Sequence, residues 1–396
     1  MTSLPGQNTS ITDVAVVGGG IIGLAVAHAL AHRGRQVTVI EGARIGERAA
    51  AGVAAGMLAP SSEVDLSDPR LTELALAAHA MYGQWTAALE AETGIDTGYD
   101  ATGTLLVALH RDHLALIDHL HDFQRERGLA AERLTGKQAR DEEPYLAPGI
   151  AGALRMPDAQ VNPRSLLAAL PVALVRAGAT ILEDTRITAI APSDGGGYEV
   201  STERDGVVSA IHATQVVVAA GAWSRQIASP IIGMPVVPLP MRPVKGEILR
   251  LRGERLIRHV VRTPDVYLVP RADGELVVGA TMVELGFDAR PTAGGVHDLL
   301  REARRAVPGI AELELAEVGV GFRPALRDHL PAIGHVDGDG LFVATGHFRN
   351  GVELAPITAR LLAALMCGDQ LDAGDAALLA PFAPDRFAPT TTQVSR

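Results

Sequence analysis

A glycine-rich turn near the start of the chain constrains the fold more than any other feature. Residues 18–23 read Gly-Gly-Gly-Ile-Ile-Gly and fit the pattern G-x-G-x-x-G. The apolar run before it (residues 13–17) predicts a buried strand, residues 21–33 predict a helix, and residues 36–41 predict a second strand. Gly34 stands where a helix C-cap is expected. The sequence therefore predicts one compact βαβ unit.

Each glycine of the pattern has its own task in a dinucleotide-binding turn. Gly18 permits the tight turn, Gly20 lets a pyrophosphate approach the backbone, and Gly23 lets the helix lie close to the strand. Glu41 ends the second strand, 18 residues beyond Gly23, where a carboxylate can accept hydrogen bonds from ribose hydroxyls. Glycine also occurs in any tight turn. The strand, the helix and the acid together favour dinucleotide binding over that simpler interpretation.

Composition limits the class of protein and its partners. With 396 residues the chain exceeds one ordinary core, which predicts two domains. A hydrophobic fraction of 47% and a charged fraction of 20% are typical of packed globular proteins. The net charge of −11 argues against nucleic acid or an anionic membrane as a partner. It would also repel an anionic substrate, unless Arg or Lys side chains reverse the field locally.

Further features indicate a cytoplasmic protein without a metal. The single cysteine, Cys367, excludes an intramolecular disulfide and is compatible with a reducing cytosol. We expect no signal peptide. The apolar residues 14–30 could be taken for a membrane span, but the three glycines and His28 favour a strand, a turn and a helix. The thirteen histidines are scattered without metal-ligand spacing, so we expect no metal.

A second glycine-containing segment lies near the end of the chain. Residues 341–345 predict a short buried strand, residues 346–350 a loop, and residues 351–366 a helix. The N-terminus of that helix would offer free N–H groups and a partial positive charge. Aimed at the N1–C2=O edge of an isoalloxazine, it would stabilise an anionic reduced flavin. An ordinary strand–helix turn is the simpler interpretation of this segment alone, but together with the N-terminal glycines it favours FAD over NAD.

The order of the predicted elements sets the expected architecture. Strands typical of a nucleotide-binding domain lie near both ends and in the middle, with β-rich segments between them, and Asp205-Gly206 and Asp273-Gly274 indicate hairpin turns. We therefore predict an α/β fold with a discontinuous Rossmann-type FAD-binding domain and an α+β substrate domain containing an antiparallel sheet. The predicted domains are residues 1–90, 146–235 and 322–396 for FAD, and residues 91–145 and 236–321 for the substrate. Residues 1–12 and 385–396 are expected to be loose.

Six motifs, in this order and at this spacing, resemble the D-amino-acid oxidase superfamily of flavoproteins, and within it the glycine oxidase family. The similarity extends from about residue 13 to about residue 366. The combination is much more specific than any single member. The motifs are Val16-Val17-Gly18-Gly19-Gly20-Ile21-Ile22-Gly23, Ala54-Ala55-Gly56-Met57-Leu58, Pro243-Val244-Lys245-Gly246-Glu247, Val277-Val278-Gly279-Ala280-Thr281-Met282, Gly321-Phe322-Arg323-Pro324 and Ala344-Thr345-Gly346-His347-Phe348-Arg349-Asn350-Gly351.

The resemblance implies roles for individual residues. Arg323 would pair with the substrate carboxylate, Tyr267 would donate to the same carboxylate, Met282 would line the pocket, and Arg349 would lie beside substrate and flavin. Ile187 would contribute a backbone contact on the adenine side. Non-covalent FAD would be held by Gly18, Gly20, Ile21, Ile22, Gly23, Glu41, Gly42, Ala50, Ala51, Ala55, Gly56, Met57, Ile187, Gly221, His347, Phe348, Arg349, Asn350, Gly351, Val352 and Glu353.

The implied reaction is the oxidative deamination of glycine, sarcosine or small D-amino acids. A hydride passes from Cα to flavin N5, the imine leaves or hydrolyses to a 2-oxo acid and ammonia, and O₂ is reduced to H₂O₂. The product would serve thiamin thiazole synthesis, and the protein would be a homo-oligomer, a tetramer or a dimer. Two alternatives remain open: a D-amino-acid or sarcosine dehydrogenase that uses another electron acceptor, and a flavin-binding protein without catalytic activity.

The hairpin around Asp273-Gly274 offers a test of the substrate assignment. If the turn has two residues, Tyr267 faces Ala280 and Met282 lies diagonally on the same face. A three-residue turn would break this arrangement. Core packing is the simpler interpretation of both side chains. The residues before Tyr267 (Pro264, Asp265 and Val266) lack the histidine-containing stretch of known glycine oxidases, so the preferred amino acid stays open.

Overall fold

The computed structural model describes residues 9–63, 68–228, 239–336 and 340–388. The strands in these ranges are β1 (Thr9–Val17), β2 (Val37–Ile40), β3 (Met57–Leu58), β4 (Thr104–Ala108), β5 (Glu132–Thr135), β6 (Gly152–Met156), β7 (Ala159–Gln160), β8 (Thr180–Leu182), β9 (Arg186–Pro192), β10 (Tyr198–Arg204), β11 (Val207–Val218), β12 (Arg242–Arg252), β13 (Val260–Arg262), β14 (Tyr267–Pro270), β15 (Glu275–Gly279), β16 (Glu314–Ala325), β17 (Ala332–His335) and β18 (Leu341–Thr345).

The helices alternate with these strands mainly in the first half and at the C-terminal end. They are α1 (Ile21–Ala31), α2 (Ala50–Val53), α3 (Pro69–Thr93), α4 (Arg111–Glu126), α5 (Gly136–Glu142), α6 (Pro163–Arg176), α7 (Ser224–Ala228), α8 (Ala293–Ala306), α9 (Ala355–Cys367) and α10 (Ala373–Leu379). Within the described ranges, no helix combines the length and the apolar character needed to cross a membrane.

Two compact units share the chain, and each is discontinuous. The first unit comprises Met1–Ala49, Leu170–Pro243 and Arg323–Arg396, and the second comprises Ala50–Ala169 and Val244–Phe322. These units divide the chain differently from the predicted domains at residues 50–90, 146–169, 239–243 and 322, and residues 236–238 lie outside the described residues. The first two ranges carry α3, β6 and β7, which belong to the second unit. Helical periodicity shows that α3 has an apolar face, but it does not show which sheet that face covers.

The first unit is built on a sheet whose central strands run parallel. Its order is β17-β18-β11-β1-β2-β8, with β10 paired to β11 and β9 paired to β10. Strands β18, β11, β1, β2 and β8 run parallel to one another, whereas β17 is antiparallel to β18. Residues 14–17 of β1 are at most 1% exposed, as expected for a strand covered on both faces. The predicted strand–turn–helix and the Rossmann-type architecture are confirmed.

Of two local predictions in the first unit, one is confirmed and the other is wrong. Asp205-Gly206 forms the two-residue hairpin turn between β10 and β11, with φ of 52° and 77°, as predicted. Residues 9–12 were expected to be loose, but they extend β1 and pair with β11 from Thr9 onward. Backbone pairing with β11 supports this mainly polar segment without burial of its one large apolar side chain, because Ile11 is 81% exposed. The rest of that N-terminal segment, residues 1–8, lies outside the described residues.

The second unit contains the predicted antiparallel sheet. Its order is β16-β12-β15-β14-β13-β4-β6-β5, in which only the β13–β4 pair is parallel among the pairs whose register is defined. Alternate residues of β12, β14 and β15 point to opposite faces. Leu249, Leu268 and Val278 join the main core on one face, and Ile248, Val269 and Val277 form a smaller cluster on the other. The smaller cluster positions part of the candidate site.

Candidate cofactor and substrate site

The glycine fingerprint and three other predicted segments follow neighbouring parallel strands of the first unit. The fingerprint follows β1, Glu41 follows β2, Gly221 comes shortly after β11, and His347 comes shortly after β18. The carboxyl ends of parallel strands lie at one edge of the sheet, and open α/β sheets bind ligands at that edge. The structure therefore brings these four groups of the predicted cofactor site together.

Steric crowding explains two of the fingerprint glycines, and open space distinguishes the third. Gly18 has φ of +112°, and a Cβ there would lie 2.6 Å from the carbonyl oxygen of Ala219. A Cβ at Gly23 would overlap the carbonyl oxygen of Gly18. A Cβ at Gly20, by contrast, would meet nothing within 4 Å. Packing thus requires Gly18 and Gly23, while Gly20 leaves room for a phosphate group at the N-terminus of α1, whose first residues Ile21 and Ile22 are buried.

Glu41 holds the fingerprint turn from the side of β2. Its Oε2 accepts the N–H of Gly19 at 2.7 Å, and its Oε1 accepts the N–H of Ala43 at 3.1 Å. Burial raises the pKa of the carboxyl group, and these backbone N–H donors oppose that rise. A Cβ at Gly19 would also lie 3.0 Å from Cβ of Glu41. The middle glycine was not assigned a role from the sequence, although three consecutive glycines were the available signal.

Gly42 and Ile187 lie at the same end of the sheet. The N–H of Thr185 donates to the carbonyl of Glu41 at 2.9 Å, and the N–H of Asp184 donates to the carbonyl of Ala43 at 3.1 Å. These bonds fix the start of β9, and hence Ile187, beside the residues that follow β2. The adenine-side contact predicted for Ile187 is compatible with this position.

The loop after β18 is tightly constrained by its own surroundings. Gly346 has φ of +79°, and a Cβ there would overlap the side chain of Leu326. His347 is buried, and its Nε2 lies 3.1 Å from Oγ1 of Thr358. Burial lowers the pKa of His347 to about 3, so its imidazole is neutral in the folded protein at ordinary pH. The loop is therefore shaped before any ligand binds.

The helix after this loop begins later than predicted. The sequence indicated a helix over residues 351–366, whereas α9 starts at Ala355 and residues 351–354 form turns. Pro356 explains the difference, because a helix through Gly351 would place its ring against the carbonyl of Val352 and lack an N–H donor there. In the first turn of α9 the same proline is well tolerated. Asn350, Gly351, Val352 and Glu353 thus belong to the turn that leads into the helix.

Two arginines assigned to the substrate side flank a backbone contact in the first unit. Ala325 and His347 form an isolated antiparallel bridge, and the N–H of Phe348 donates to the carbonyl of Pro324 at 2.9 Å. Arg323 immediately precedes Pro324 and Arg349 immediately follows Phe348, so this contact brings the backbones of the two arginines close together. Arg323 is half-buried and Arg349 is exposed.

The predicted cofactor segment of the second unit, residues 50–57, packs on the sheet face that carries Tyr267. Ala55 joins Ile248, Val269 and Val277 in an apolar cluster, and Met57 and Tyr267 pack against it. Gly56 has φ of +78°, and a Cβ there would overlap the carbonyl oxygen of Val161. The structure therefore brings Tyr267 together with the predicted cofactor residues Ala55, Gly56 and Met57.

The hairpin that carries Tyr267 has a three-residue loop. The N–H of Arg271 donates to the carbonyl of Glu275 at 2.8 Å, and Gly274 has φ of +85°. Tyr267 consequently pairs with Gly279, and the expectation that it faces Ala280 was wrong. An Asp-Gly dipeptide suits both the two-residue turn and the longer loop in which glycine takes the left-handed position, so the sequence did not separate them.

Met282 lies outside the apolar cluster around Tyr267. Its side chain is 56% exposed, and β15 ends three residues before it, at Gly279. The changed register removes the diagonal relation predicted between Met282 and Tyr267. The role of Met282 as a pocket residue remains a prediction.

The expected spacing of the histidines was wrong at one pair. His28 and His32 are four residues apart on α1, and their Nε2 atoms lie 3.0 Å apart. This pair therefore has the close spacing that the scattered histidines were expected to lack. Cys367 ends α9 as a free, partly buried thiol.

The chain matches the DAO family model, described as FAD dependent oxidoreductase, over residues 13–365. It belongs to this family of FAD-dependent oxidoreductases. FAD is the family's cofactor, and the open space at Gly20 beside crowded Gly18 and Gly23 fits its pyrophosphate. The fold and the recognition of the superfamily from the six motifs are both confirmed.

Relatives and solved structures refine the comparison. The chain is 37% identical over 359 residues to a glycine oxidase of Geobacillus kaustophilus, covering 89% of this chain and 92% of that one. The crystal structure of glycine oxidase from Geobacillus kaustophilus superposes with a TM-score of 0.87 at 36% identity, covering 95% and 99% of the two chains. A bifunctional protein ThiO/ThiG of Nostoc sp. is 34% identical over 91% of this chain. The chain spans about half (53%) of that relative's length.

Alanine at Gly20 or Gly23 should separate cofactor binding from folding. Gly23→Ala should destabilise the apoprotein by about 1–3 kcal/mol, because the new Cβ overlaps a backbone oxygen. Gly20→Ala should change that stability by less than about 1 kcal/mol, and should raise the Kd for FAD at least about tenfold. Urea unfolding of the apoproteins and fluorescence titration with FAD measure the two effects. Wild-type FAD affinity in Gly20→Ala would contradict the assignment.

His347 should make the stability of the fold depend on pH. Its pKa of about 3 lies below the ordinary value, so the unfolded chain binds the extra proton first and stability falls as the pH drops from 7 towards 3. Between pH 7 and 5 the wild type should lose about 2 kcal/mol more than His347→Gln. Urea unfolding at several pH values measures this difference. Thr358→Val, which keeps the histidine, should retain the wild-type slope, and parallel curves for wild type and His347→Gln would refute the expectation.

Proposed function

We propose that this protein is an FAD-dependent amino-acid oxidase that acts on glycine and other small amino acids. The observation that carries the proposal is the backbone contact between Pro324 and Phe348, which brings the neighbouring Arg323 and Arg349 to the sheet edge that also carries the glycine fingerprint. Two guanidinium groups beside a dinucleotide-binding edge suit a small carboxylate substrate. The similarity to a glycine oxidase over most of both chains supports the same substrate class.

The residues expected to hold FAD fit its parts. Gly20 and the N-terminus of α1 would receive the pyrophosphate, and Glu41 would accept hydrogen bonds from the ribose hydroxyls. By the resemblance, the loop His347–Glu353 would also contact FAD, and so would Ala50, Ala51, Ala55, Gly56 and Met57. When bound, FAD supplies the acceptor for the hydride that leaves the substrate Cα.

The protein's own side chains would bind and orient the substrate. Arg323 offers a planar fork that matches a carboxylate in two hydrogen bonds, and Tyr267 offers a phenolic O–H to the same group. Arg349 would add positive charge beside them, and Met282 would close the pocket. These contacts fix Cα in one orientation, which is the main catalytic contribution required of the protein.

Proton transfer by a side chain is not required, provided the amine binds in its neutral form. His347 is the histidine of the predicted cofactor loop, and its ring is directed towards Thr358 inside the fold. It therefore shapes the loop instead of meeting the substrate. The protonation state of the substrate amine would then set the acid limit of turnover.

The proposal also covers the electron acceptor and the use of the reaction product. Reduction of O₂ to H₂O₂ would make the protein an oxidase, whereas a dehydrogenase would pass the electrons to another acceptor. The bifunctional ThiO/ThiG relative supports a product used in thiamin thiazole synthesis. We also propose a cytoplasmic homo-oligomer. The alternative of a flavin-binding protein without activity is disfavoured by the arginine pair, which a simple carrier of FAD would not need.

Anaerobic spectroscopy tests the activity directly. Glycine should bleach the visible absorption of the FAD-loaded protein, with sarcosine and D-proline as comparators, and air should restore the absorption while H₂O₂ accumulates. Bleaching without recovery in air would indicate a dehydrogenase. If no amine bleached the flavin, the amino-acid oxidase proposal would be wrong.

Arg323 is the residue on which substrate affinity should depend most. Loss of one partner of a buried ion pair costs about 3–5 kcal/mol; for this half-buried arginine, Arg323→Ala should raise the KM for glycine by about two orders of magnitude. Arg323→Lys should recover little, because the two-pronged contact is lost. Arg327→Ala is the matched control, since Arg327 is exposed and four residues away. Steady-state kinetics decides, and an unchanged KM in Arg323→Ala would remove this residue from the substrate site.

A further inference from the structure

Three arginines of the second unit lie behind the segment of residues 50–57. Arg250 and Arg271 come from β12 and from the residue after β14, on the sheet face that carries the apolar cluster around Ala55. Arg164 comes from the first turn of α6. None of the three was singled out by the sequence motifs, and the oxidation of an amino acid does not itself require them.

Two of these arginines donate hydrogen bonds to backbone carbonyls of the segment. Nε of Arg164 donates to the carbonyl of Gly52 at 2.8 Å. Nη2 of Arg271 donates to the carbonyl of Ala55, while its Nη1 donates to Oε1 of Gln160 at 3.0 Å. Each guanidinium thus fixes one point of the segment by a charge-assisted bond.

Gln160 connects Arg271 to the next part of the same segment. Its backbone pairs with Met57 in the β3–β7 ladder. Between the two points, the carbonyl of Gly56 accepts the N–H of Val161 at 2.9 Å. Arg271 therefore reaches the segment twice, directly through Ala55 and indirectly through the strand that pairs with Met57.

Carboxylate groups hold the side chains of Arg164 and Arg250 in place. Nη1 and Nη2 of Arg164 donate to the two carboxylate oxygens of Glu317, at 2.9 and 2.5 Å. Glu275 accepts from Nη1 of Arg250 at 2.6 Å. Arg250 is 1% exposed, and among the residues that the structure describes its Nε and Nη2 have no hydrogen-bond partner, although Nε lies 4.0 Å from Oε2 of Glu317. Glu275 also stabilises the charge of Arg271, as do Asp273 and Asp100.

The burial of Arg271 is costly and needs a reason. Its side chain is buried, and burial lowers its pKa to about 10, so it remains charged at neutral pH. The neighbouring side chains Val269 and Val277 show that this face accepts apolar residues. Well-packed apolar residues commonly replace buried ion pairs without loss of stability. Stability alone therefore does not account for a guanidinium here, whereas fixing a backbone segment that must receive a cofactor does.

We propose that Arg271 and Arg164 are positioning residues for FAD, which fix the carbonyls of Ala55 and Gly52 and so hold residues 50–57 in the conformation that receives the flavin. The proposal rests on the proposed cofactor role of those residues. It assigns neither arginine a contact with FAD or substrate. Its consequence is that loss of either guanidinium weakens FAD binding by a folded apoprotein.

Equilibrium binding of FAD to the apoprotein tests this without any substrate. Arg271→Met should raise the Kd for FAD at least about tenfold, measured by quenching of flavin fluorescence. Arg271→Lys should show a smaller rise, because one amine keeps the charge but cannot reach both Ala55 and Gln160. Arg164→Met should act in the same direction. Arg301→Met is the matched control, since Arg301 is half-exposed on α8 of the same unit and should leave the Kd unchanged.

Further measurements separate positioning from a general structural role. The visible circular dichroism of bound flavin should change in Arg271→Met, while far-ultraviolet circular dichroism of the apoprotein should stay native. Wild-type FAD affinity in a folded Arg271→Met variant would overturn the proposal. If that variant did not fold, wild-type affinity in Arg164→Met would do the same. Failure of glycine to bleach the wild-type flavin would refute the oxidase function and leave the FAD titration unaffected.

Discussion

The close approach of α1 to β1 is the contact on which the cofactor edge depends. The space that a Cβ of Gly23 would need is occupied by the carbonyl of Gly18, and Gly18 itself lies against Ala219 after β11. The turn at Gly18 is thus packed directly against α1 on one side and against the backbone after β11 on the other. Because this contact fixes the N-terminus of α1, it also fixes where Glu41 meets Gly19 and where an anion can approach the backbone. The rest of the edge is arranged around this point.

Positive charge is used locally in a chain whose overall charge is −11. Arg323 and Arg349 flank the contact between Pro324 and Phe348 in the first unit, and Arg164, Arg250 and Arg271 lie together in the second. Surface charges are screened beyond about 8 Å at physiological salt. The nearby guanidinium groups therefore decide what an anionic ligand experiences, and the distant acidic surface matters mainly for solubility and for excluding polyanions.

The features that could be predicted from sequence are those with local causes. The fingerprint glycines, the Asp205-Gly206 turn and the buried strand of residues 14–17 follow from sterics and hydrophobicity within a few residues. The start of α9 also has a local cause, because Pro356 was the signal that should have placed the predicted start at Ala355. By contrast, the loop after Arg271 was ambiguous, since one dipeptide serves two hairpin types. The unit to which α3 belongs, and the bond from Arg271 to Ala55, depend on contacts between distant residues that periodicity does not encode.

The order of strands in the first sheet has a consequence for how the chain folds. Strand β1 ends at Val17 and pairs with β11, which begins at Val207; β11 ends at Val218 and pairs with β18, which begins at Leu341, so neighbours in the sheet are far apart in the sequence. Such topologies fold slowly, because long loops must close before their contacts form. During synthesis the apolar residues of β1 emerge well before Ala219 and the strand that flanks them, and an unpaired apolar edge invites mispairing with other chains. Capture of FAD must therefore wait for nearly the whole chain, and a supply of cofactor at that moment would favour the native sheet over aggregation.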